Sequence, residues 1–380
     1  MSDVMALLGR EADLRRLWST LRERSVLMTG PRRVGKTELM KHMVAHPEPS
    51  WTGVRVDLQG LGTTTAAAER TVKHLARAGL GVSGAARAAE RVEEVSLGPV
   101  GAKRRAEDQD PWDELGEALA RAVAQLKGRG AEMLLVCFDE VPWWLDEVKE
   151  SQGADEARRA LATLRYLRQR DDLADHVRFL FTGSVGLARA AHDLGATADI
   201  NDLIPPFQLA PLSPVAAATL FETEVTARGR LSSPEGAALA VAVTAGFPHW
   251  MKVVADHAAF AVDEGEAVDR GAVERAREEL LGPRMGHLFA HEGWEHLVRR
   301  HGRGAARASA GVLDVAASAD IVPYEALVAA ALTAGVGNRA AARDLIEALV
   351  DSWHLDVVEG GYRVLLPLFR AWWQRHGGAR

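Results

Sequence analysis

The chain has little of what a secreted or membrane-bound protein needs. Its 380 residues include one cysteine, Cys137, which lies in an apolar run, so no disulfide can form within the chain. We expect a buried thiol and a reducing compartment. No stretch of about 18 uninterrupted apolar residues occurs, and the N-terminus lacks a basic region followed by an apolar core. The protein is therefore expected to be cytoplasmic, with no membrane partner.

An excess of positive charge is also missing. The formal net charge is -6, which excludes a general attraction to nucleic acids or anionic membranes and leaves only a local patch for such a role. Hydrophobic residues make up 47% of the chain, which is ample for buried cores, and the length allows two or three domains. These numbers favour a folded protein over a largely disordered one.

What the sequence does contain is a phosphate-binding loop. An apolar run from Val26 turns at Gly30 and enters a helical pattern after Gly35, so Gly30-x4-Gly35-Lys36-Thr37 stands between a strand and a helix. Main-chain amides at a helix N-terminus bind anions such as a triphosphate. The residues predicted to bind the nucleotide are Gly30, Pro31, Arg32, Arg33, Val34, Gly35, Lys36, Thr37 and Glu38. A chance turn of Gly and Lys is the alternative, and the agreement of strand, loop and helix disfavours it.

A second motif supplies acids. Residues 133–138 form a continuous apolar run, as expected of a central parallel strand, and Asp139 and Glu140 follow it. With a phosphate loop present, we predict that Lys36 contacts the β and γ phosphates and that Thr37 and Asp139 hold Mg²⁺. Glu140 is predicted to polarise the attacking water. Without the loop, the acid pair could equally be a surface turn.

A further strand is predicted at Val177–Thr182, followed by Gly183 and Ser184. A small hydroxyl at that edge could sense the γ-phosphate or the water, so both Thr182 and Ser184 are candidates, and Ser184 is taken as the catalytic one. The alternative is a glycine turn that only closes the strand.

The remaining chain suggests three domains. We predict an ATPase core over residues 1–212 with an inserted arm at about 81–110, a helical lid over 213–300 and a winged-helix-like domain over 301–380. The last prediction rests on two alternating runs joined by Glu359-Gly-Gly361, which indicate a hairpin. Short helices are predicted before it, at Val312–Ala317, Tyr324–Thr333 and Arg339–Ser352.

Together, these motifs resemble those of the prokaryotic STAND-type P-loop ATPases often called archaeal ATPases, which are relatives of the AAA+ proteins. The resemblance rests on Gly30–Thr37, Asp139-Glu140, Phe181–Leu187, Pro211–Pro214 and Gly246-Phe-Pro248. It implies an α/β fold of the ASCE class, in which an extra strand separates the phosphate-loop strand from the acid-bearing strand. It also implies ATP and Mg²⁺ as cofactors, and a nucleotide switch in signalling or antiviral defence.

The resemblance adds two residues to the predicted site. In these ATPases a Gly-Arg turn before the phosphate loop closes over the adenine base, which suggests Arg10 here, with Asp13 where relatives usually have Glu. A helix cap with a solvated Arg10 is the alternative. The resemblance also places Pro248 over the nucleotide. Relatives often carry an arginine before the final strand, and its absence here leaves Arg189 and Arg178 as substitutes for a trans-acting finger.

Two functions follow. The first is an ATPase switch whose partner is another protein or a second copy of the chain. The second is a DNA-handling AAA+ loader or initiator that uses the winged helix. From Ala305 onward there are seven arginines and no lysine against eight acids, a balance of -1, so DNA is possible as a partner but not favoured.

Overall fold

The computed structural model describes residues 7–81, 110–183, 186–282 and 295–377. The chain divides into two compact units, which we describe separately. The sheet unit contains Glu11–Thr29 and Lys36–Leu209, and the helical unit contains Met1–Arg10, Gly30–Gly35 and Ala210–Arg380. The predicted arm at 81–110 lies almost entirely outside the described residues. The three predicted domains stay a prediction.

The sheet unit is built on five parallel strands. They are β1 (Val26–Thr29), β2 (Trp51–Asp57), β3 (Met133–Asp139), β4 (Val177–Thr182) and β5 (Phe207–Gln208), in the order β2-β3-β4-β1-β5. Strand β4 therefore separates the phosphate-loop strand β1 from the acid-bearing strand β3, as predicted. Every residue of β3 after Met133 is buried, which agrees with a central strand covered on both faces.

The strand register places the chemistry of this unit at one edge of the sheet. Asp57 on β2 lies level with Asp139 on β3, and Met28 on β1 lies level with Thr182 on β4. The carboxyl ends of parallel strands meet at the same edge, where α/β proteins bind their ligands. Behind that edge the rings of Phe138, Phe179 and Phe181 stack, with centroids 5.9–6.1 Å apart.

Helices cover the sheet. They are α1 (Glu11–Glu23), α2 (Lys36–Ala45), α3 (Thr64–Arg77), α4 (Pro111–Leu126), α5 (Val141–Gln152), α6 (Ala154–Gln169), α7 (Asp171–Ala174) and α8 (Leu187–Asp193), with 3-10 turns at Lys127–Arg129 and Thr197–Leu203. In α4, Trp112, Leu115 and Leu119 are buried on one face, which agrees with their helical spacing in the sequence. Helix α5 was not predicted, although Trp144 and Leu145 are among its buried residues.

The helical unit alternates short strands with helices. Its elements are α9 (Pro214–Thr226), β6 (Leu231–Ser232), α10 (Pro234–Thr244), α11 (Pro248–Phe260), β7 (Ala267–Val268), α12 (Arg270–Leu280), α13 (Glu295–Ser318), α14 (Tyr324–Thr333), α15 (Arg339–Asp351), β8 (Leu355–Val358), β9 (Gly361–Val364) and α16 (Pro367–His376). Ser213 and Ser233 cap α9 and α10, and each is followed by a proline in the first turn. Each serine accepts a hydrogen bond from a free amide of the first helical turn, and each proline has no amide hydrogen that would need a partner.

The last part of this unit contains the elements predicted for a winged helix. Strands β8 and β9 form the predicted antiparallel hairpin, and Val322 adds a bridge to Tyr362. Helix α13 extends well beyond the predicted Val312–Ala317 and ends at Ser318, while α16 was not predicted. The assignment of these elements to a winged-helix domain stays a prediction. Among the described residues, no helix combines the length and the apolar character needed to cross a membrane.

Candidate functional site

The phosphate loop occupies the turn between β1 and α2. Helix α2 begins at Lys36, so the amides of the loop precede a helix N-terminus, which is the arrangement that binds anions. Gly35 has a φ of +102°, a conformation that side chains with a Cβ rarely adopt, and Arg33 is also in the left-handed region with a φ of +64°. Pro31, Val34 and Lys36 are buried, whereas Arg32, Arg33 and Glu38 are exposed.

Arg10 anchors the loop rather than lying on its surface. Its guanidinium donates one hydrogen bond to the carbonyl of Val34 and another to the carbonyl of Ala210, each 2.7 Å long. The residue is 6% exposed, so these bonds are shielded from water. The structure thus gives Arg10 two main-chain partners, and one of them lies inside the phosphate loop. Both the loop residues 30–35 and Ala210 belong to the helical unit.

A second contact joins the loop to α11 within the helical unit. The Arg33 guanidinium contacts the imidazole of His249, and its central carbon lies 5.7 Å from the centroid of the Trp250 ring. Burial, followed by the charges of Arg33 and Lys252, lowers the pKa of His249 from 6.5 to about 4. The ring is therefore neutral at pH 7 and accepts a hydrogen bond from Arg33. Partial desolvation of its guanidinium, followed by the charge of the neighbouring Arg32, lowers the pKa of Arg33.

The predicted Pro248 is the first residue of α11, directly before the histidine that contacts Arg33. Two residues before it, Gly246 has a φ of +74°, and its carbonyl accepts a 2.9 Å hydrogen bond from the amide of Leu212. The turn therefore fixes where α11 begins. The role that the family resemblance gives to Pro248 stays a prediction, and the next residue, His249, contacts the loop residue Arg33.

In the sheet unit, Asp139 is the centre of a polar cluster at the carboxyl edge of the sheet. Thr37, in the first turn of α2, donates a hydrogen bond of 2.8 Å to its Oδ2. Thr182, at the end of β4, donates a short hydrogen bond to Oδ1. Asp139 is 2% exposed and Thr182 is fully buried. The two residues predicted to hold Mg²⁺, Thr37 and Asp139, are thus brought together.

A third donor at Asp139 was not predicted. Nη1 of Arg55, on β2, lies 2.9 Å from Oδ2 of Asp139 and 3.8 Å from Oδ2 of Asp57. A signal for this residue was present in the sequence: Arg55 and Asp57 are two residues apart and therefore lie on the same face of β2, the strand that pairs with β3. What the sequence could not show is that the arginine reaches across to the buried acid on the neighbouring strand β3.

Glu140 stands at the junction between β3 and α5. Its backbone is left-handed, with a φ of +57°, and its carbonyl accepts a 3.1 Å hydrogen bond from the amide of Trp144, in the first turn of α5. A left-handed glutamate is uncommon, and such strain is found preferentially at functional positions. The side chain is half-buried.

The other candidates lie in different settings. Ser184 is outside the described residues, whereas its alternative Thr182 contacts Asp139 directly. Arg178 is near the start of β4, at the end opposite to Asp139, and donates to the carbonyls of Ala174 and Val177. Arg189 forms an ion pair of 2.9 Å with Asp193. The two proposed finger arginines therefore have local partners within the same chain.

The donor set fits a magnesium–nucleotide complex. Hydroxyl and carboxylate oxygens suit Mg²⁺, which usually takes one or two carboxylates and leaves its other positions to water and phosphate. Thr37 and Asp139 supply such oxygens within 2.8 Å of each other, and Lys36 is the residue directly before Thr37. The guanidinium of Arg55, which lies on the same carboxylate, competes with a metal ion there.

No family model matches the chain, and no curated protein matches it. Among solved structures, the chain is similar to a Walker-type ATPase of Pyrococcus abyssi, with 18% identity, coverage of 96% of this chain and 95% of that one, and a TM-score of 0.66. It is also similar to the ORC2 protein of Aeropyrum pernix in its ADPNP–ADP complexes, with 13% identity, coverage of 95% and 91%, and a TM-score of 0.54. At these identities the likeness concerns the fold. The chain therefore has the α/β fold of the Walker-type, P-loop ATPases.

Proposed function

We propose that the protein is an ATP-binding and ATP-hydrolysing switch of the STAND type that regulates a partner protein or a second copy of itself. Prokaryotic signalling or antiviral defence is the setting that the sequence resemblance suggests. The observation that carries the proposal is the 2.8 Å hydrogen bond between Thr37, at the end of the phosphate loop, and the buried Asp139. It joins the two halves of an NTPase motif that lie far apart in the sequence.

Each residue of the motif has a role in the proposed reaction. A water oxygen bonds to the γ-phosphorus while the bond to the β–γ bridging oxygen breaks, and the water gives its proton to a base. We assign Glu140 as that base because it directly follows Asp139 at the edge of the sheet. The ammonium group of Lys36 offsets the charge of the β and γ phosphates. Mg²⁺, when held by Thr37 and Asp139, supplies further charge neutralisation on the phosphate oxygens.

The switch function is supported by the contacts of the loop within the helical unit. Val34 is bound by Arg10, and Arg33 contacts His249 at the start of α11. A nucleotide changes a conformational equilibrium only by binding one state better than another. A phosphate that attracts Arg33 away from the neutral ring of His249 would provide that difference, because a state in which Arg33 contacts α11 would then bind the nucleotide less well than a state in which it does not.

Two variants test the ATPase. We expect Lys36→Ala to abolish binding of ATP, since it removes the ammonium that faces the phosphates. Glu140→Gln should retain binding but reduce turnover by about 10²–10⁴-fold, the usual contribution of a general base. Lys41→Ala on the exposed side of α2 and Glu150→Gln on α5 are matched controls. Hydrolysis at the parental rate in Glu140→Gln would show that Glu140 is not the base.

The switch itself requires a change of state. Molecular mass and ATPase rate should be measured without nucleotide, with ADP and with ATP. A change in mass on ATP binding identifies a second copy as the partner. An unchanged mass together with an unchanged pattern of limited proteolysis in all three states would refute the switch.

The alternative of a DNA-handling ATPase finds little support on the C-terminal surface. Five of its arginines are already paired with acids, namely Arg339 with Glu325, Arg343 with Glu347, Arg363 with Asp356, Arg370 with Asp320 and Arg375 with Glu278. An arginine that is paired with a carboxylate is less able to replace the counterions of DNA. Titration with duplex DNA at two salt concentrations is the test. Affinity in the range of about 10 nM with a steep salt dependence would favour the DNA function.

A further inference from the structure

The Arg55–Asp139 ion pair lies where the proposed function requires a metal ion. The guanidinium contacts Oδ2 of Asp139 at 2.9 Å, the same oxygen that accepts the hydrogen bond from Thr37. The side chain of Asp139 is 3% exposed and that of Arg55 is 22% exposed. The pair is therefore largely shielded from water, where attraction between opposite charges is stronger than at the surface.

The carboxylate of Asp139 has a donor on each oxygen. Thr182 occupies Oδ1, while Thr37 and Arg55 share Oδ2. The two threonine hydroxyls can rotate and can accept as well as donate, so they tolerate a change of partner. A guanidinium can only donate and keeps its charge. Of the three donors, Arg55 is the one that has to move before a cation or its water shell can approach Oδ2.

A second acceptor for Arg55 is close by. Oδ2 of Asp57 lies 3.8 Å from Nη1 of Arg55, and its side chain is 47% exposed. Asp57 is level with Asp139 in the strand register, and Arg55 is two residues before it on the same strand. The guanidinium of Arg55 thus lies between the buried carboxylate of Asp139, which it contacts, and the half-exposed carboxylate of Asp57, which is farther away. Movement towards Asp57 exchanges one acid for another and leaves no charge unpaired.

We propose that Arg55 is a displaceable cation of the nucleotide site. It neutralises Asp139 when Mg²⁺ is absent and moves to Asp57 when Mg²⁺ approaches Asp139. The inference rests on the proposed ATP-binding function and adds a determinant of its metal dependence. In consequence, the protein retains more affinity for metal-free ATP than a site with a bare Asp139, and Mg²⁺ strengthens binding less.

The experiment measures binding rather than turnover. The dissociation constant of the fluorescent analogue mant-ATP is determined with excess EDTA and again with saturating Mg²⁺. The constant in EDTA divided by the constant in Mg²⁺ is the ratio that reports the metal dependence. In Arg55→Met the buried acid faces the phosphates without a counter-ion, so the EDTA constant should rise and the ratio should increase about tenfold, the change expected for one partly buried charge. Arg77→Met removes an exposed arginine at the end of α3 and should change the ratio less than about twofold.

A second variant tests the role of Asp57 and does not disturb the buried acid. Asp57→Asn removes the charge that would receive Arg55, so the arginine should stay on Asp139 and the ratio should fall several-fold. Because Asp57 is half-exposed, this variant is expected to fold even if Arg55→Met does not. An unchanged ratio in Arg55→Met, or an unchanged or higher ratio in Asp57→Asn, would overturn the inference.

The result also separates this inference from the function on which it depends. If the parent binds mant-ATP and Lys36→Ala does not, the nucleotide site stands, and a ratio insensitive to Arg55 and Asp57 refutes only the displaceable cation. If the parent binds no mant-ATP with or without Mg²⁺, the proposed function and the inference both fail.

Discussion

Replacement of Arg10 by methionine separates two roles that this residue could have. Its guanidinium makes two hydrogen bonds of 2.7 Å to main-chain carbonyls, one of them in the phosphate loop. Hydrogen bonds from a charged donor contribute about 1.5–3 kcal/mol each, and methionine recovers part of the packing. We expect the nucleotide-free Arg10→Met protein to lose about 2–4 kcal/mol of stability, which lowers its melting temperature by about 5–10 °C.

The same variant should bind nucleotides more weakly. Without the bond to Val34 the loop has to be ordered when the phosphates bind, and fixing a single residue costs about 1–2 kcal/mol. The dissociation constants for ATP and GTP should therefore both rise about tenfold, since the phosphates are common to the two. Arg10→Lys should be intermediate because an ammonium retains the charge but not the fork of two parallel donors.

Differential scanning fluorimetry without nucleotide and binding titrations with ATP and GTP are the measurements. Arg15→Met, at an exposed position of α1, is the control and should match the parent in both. The opposite result would be an unchanged melting temperature together with a loss of affinity for ATP but not for GTP. That result would show that Arg10 contacts the adenine base, as the sequence resemblance suggested. It would also show that its hydrogen bonds to Val34 and Ala210 do not contribute to stability.

Three further predictions concern the two units separately. His249 has a pKa of about 4 in the folded protein, which is below its unfolded value. Its contribution to stability is therefore complete above pH 6.5 and is lost as the pH falls towards 4. Between pH 7 and pH 5, the melting temperature of His249→Gln should fall less than that of the parent. Burial raises the pKa of the Cys137 thiol, so Ellman's reagent should label the protein in urea but not in native buffer, and labelling at equal rates would contradict its burial. Gly246→Ala should lower the free energy of unfolding by about 2–4 kcal/mol, because the new Cβ would lie 2.3 Å from the carbonyl oxygen of Leu212. Gly265→Ala, at a φ of +81° with open space around it, should lower it by about 1 kcal/mol. Equal melting temperatures of the two variants would refute the steric argument.

Much of the sheet unit could be predicted because its patterns are local. The predicted strand Val177–Thr182 is confirmed without a shift of either end, and the apolar run before Asp139 is confirmed as a buried strand. Both strands are indicated by a short run of mostly apolar residues, and nearly all of these residues are buried in the sheet. The strand order followed from the family resemblance, and residue patterns alone would not have supplied it.

The elements that were missed depend on packing across long sequence distances. Helix α13 contains Gly302, Gly304 and Gly311, which weaken its helical propensity, yet burial of residues such as Val312 and Leu313 stabilises it. Helix α16 did carry a signal. Pro367 at its start is followed by apolar residues spaced for one helix face, and Leu368, Phe369, Trp372 and Trp373 are buried.

Within the candidate site, the sequence identified motifs but not the contacts of long side chains. The proximity of Thr37 and Asp139 was predicted from the phosphate-loop and acid motifs, which the fold brings to one edge of the sheet. Arg10, Arg33 and Arg55 each reach a partner that no spacing rule specifies. The assignment of Glu140, Lys36 and Pro248 to particular roles stays a prediction.

The left-handed backbone of Glu140 restricts which residues can stand there. Positive φ is tolerated best by glycine, asparagine and aspartate, but these side chains are absent, neutral or one methylene shorter than glutamate. An aspartate would relax the main chain while it withdraws the carboxylate by one carbon–carbon bond. If reach and charge are both needed at this turn, glutamate is the acid that satisfies the requirement, and the strain in its backbone is a cost of placing the carboxylate that far from the strand.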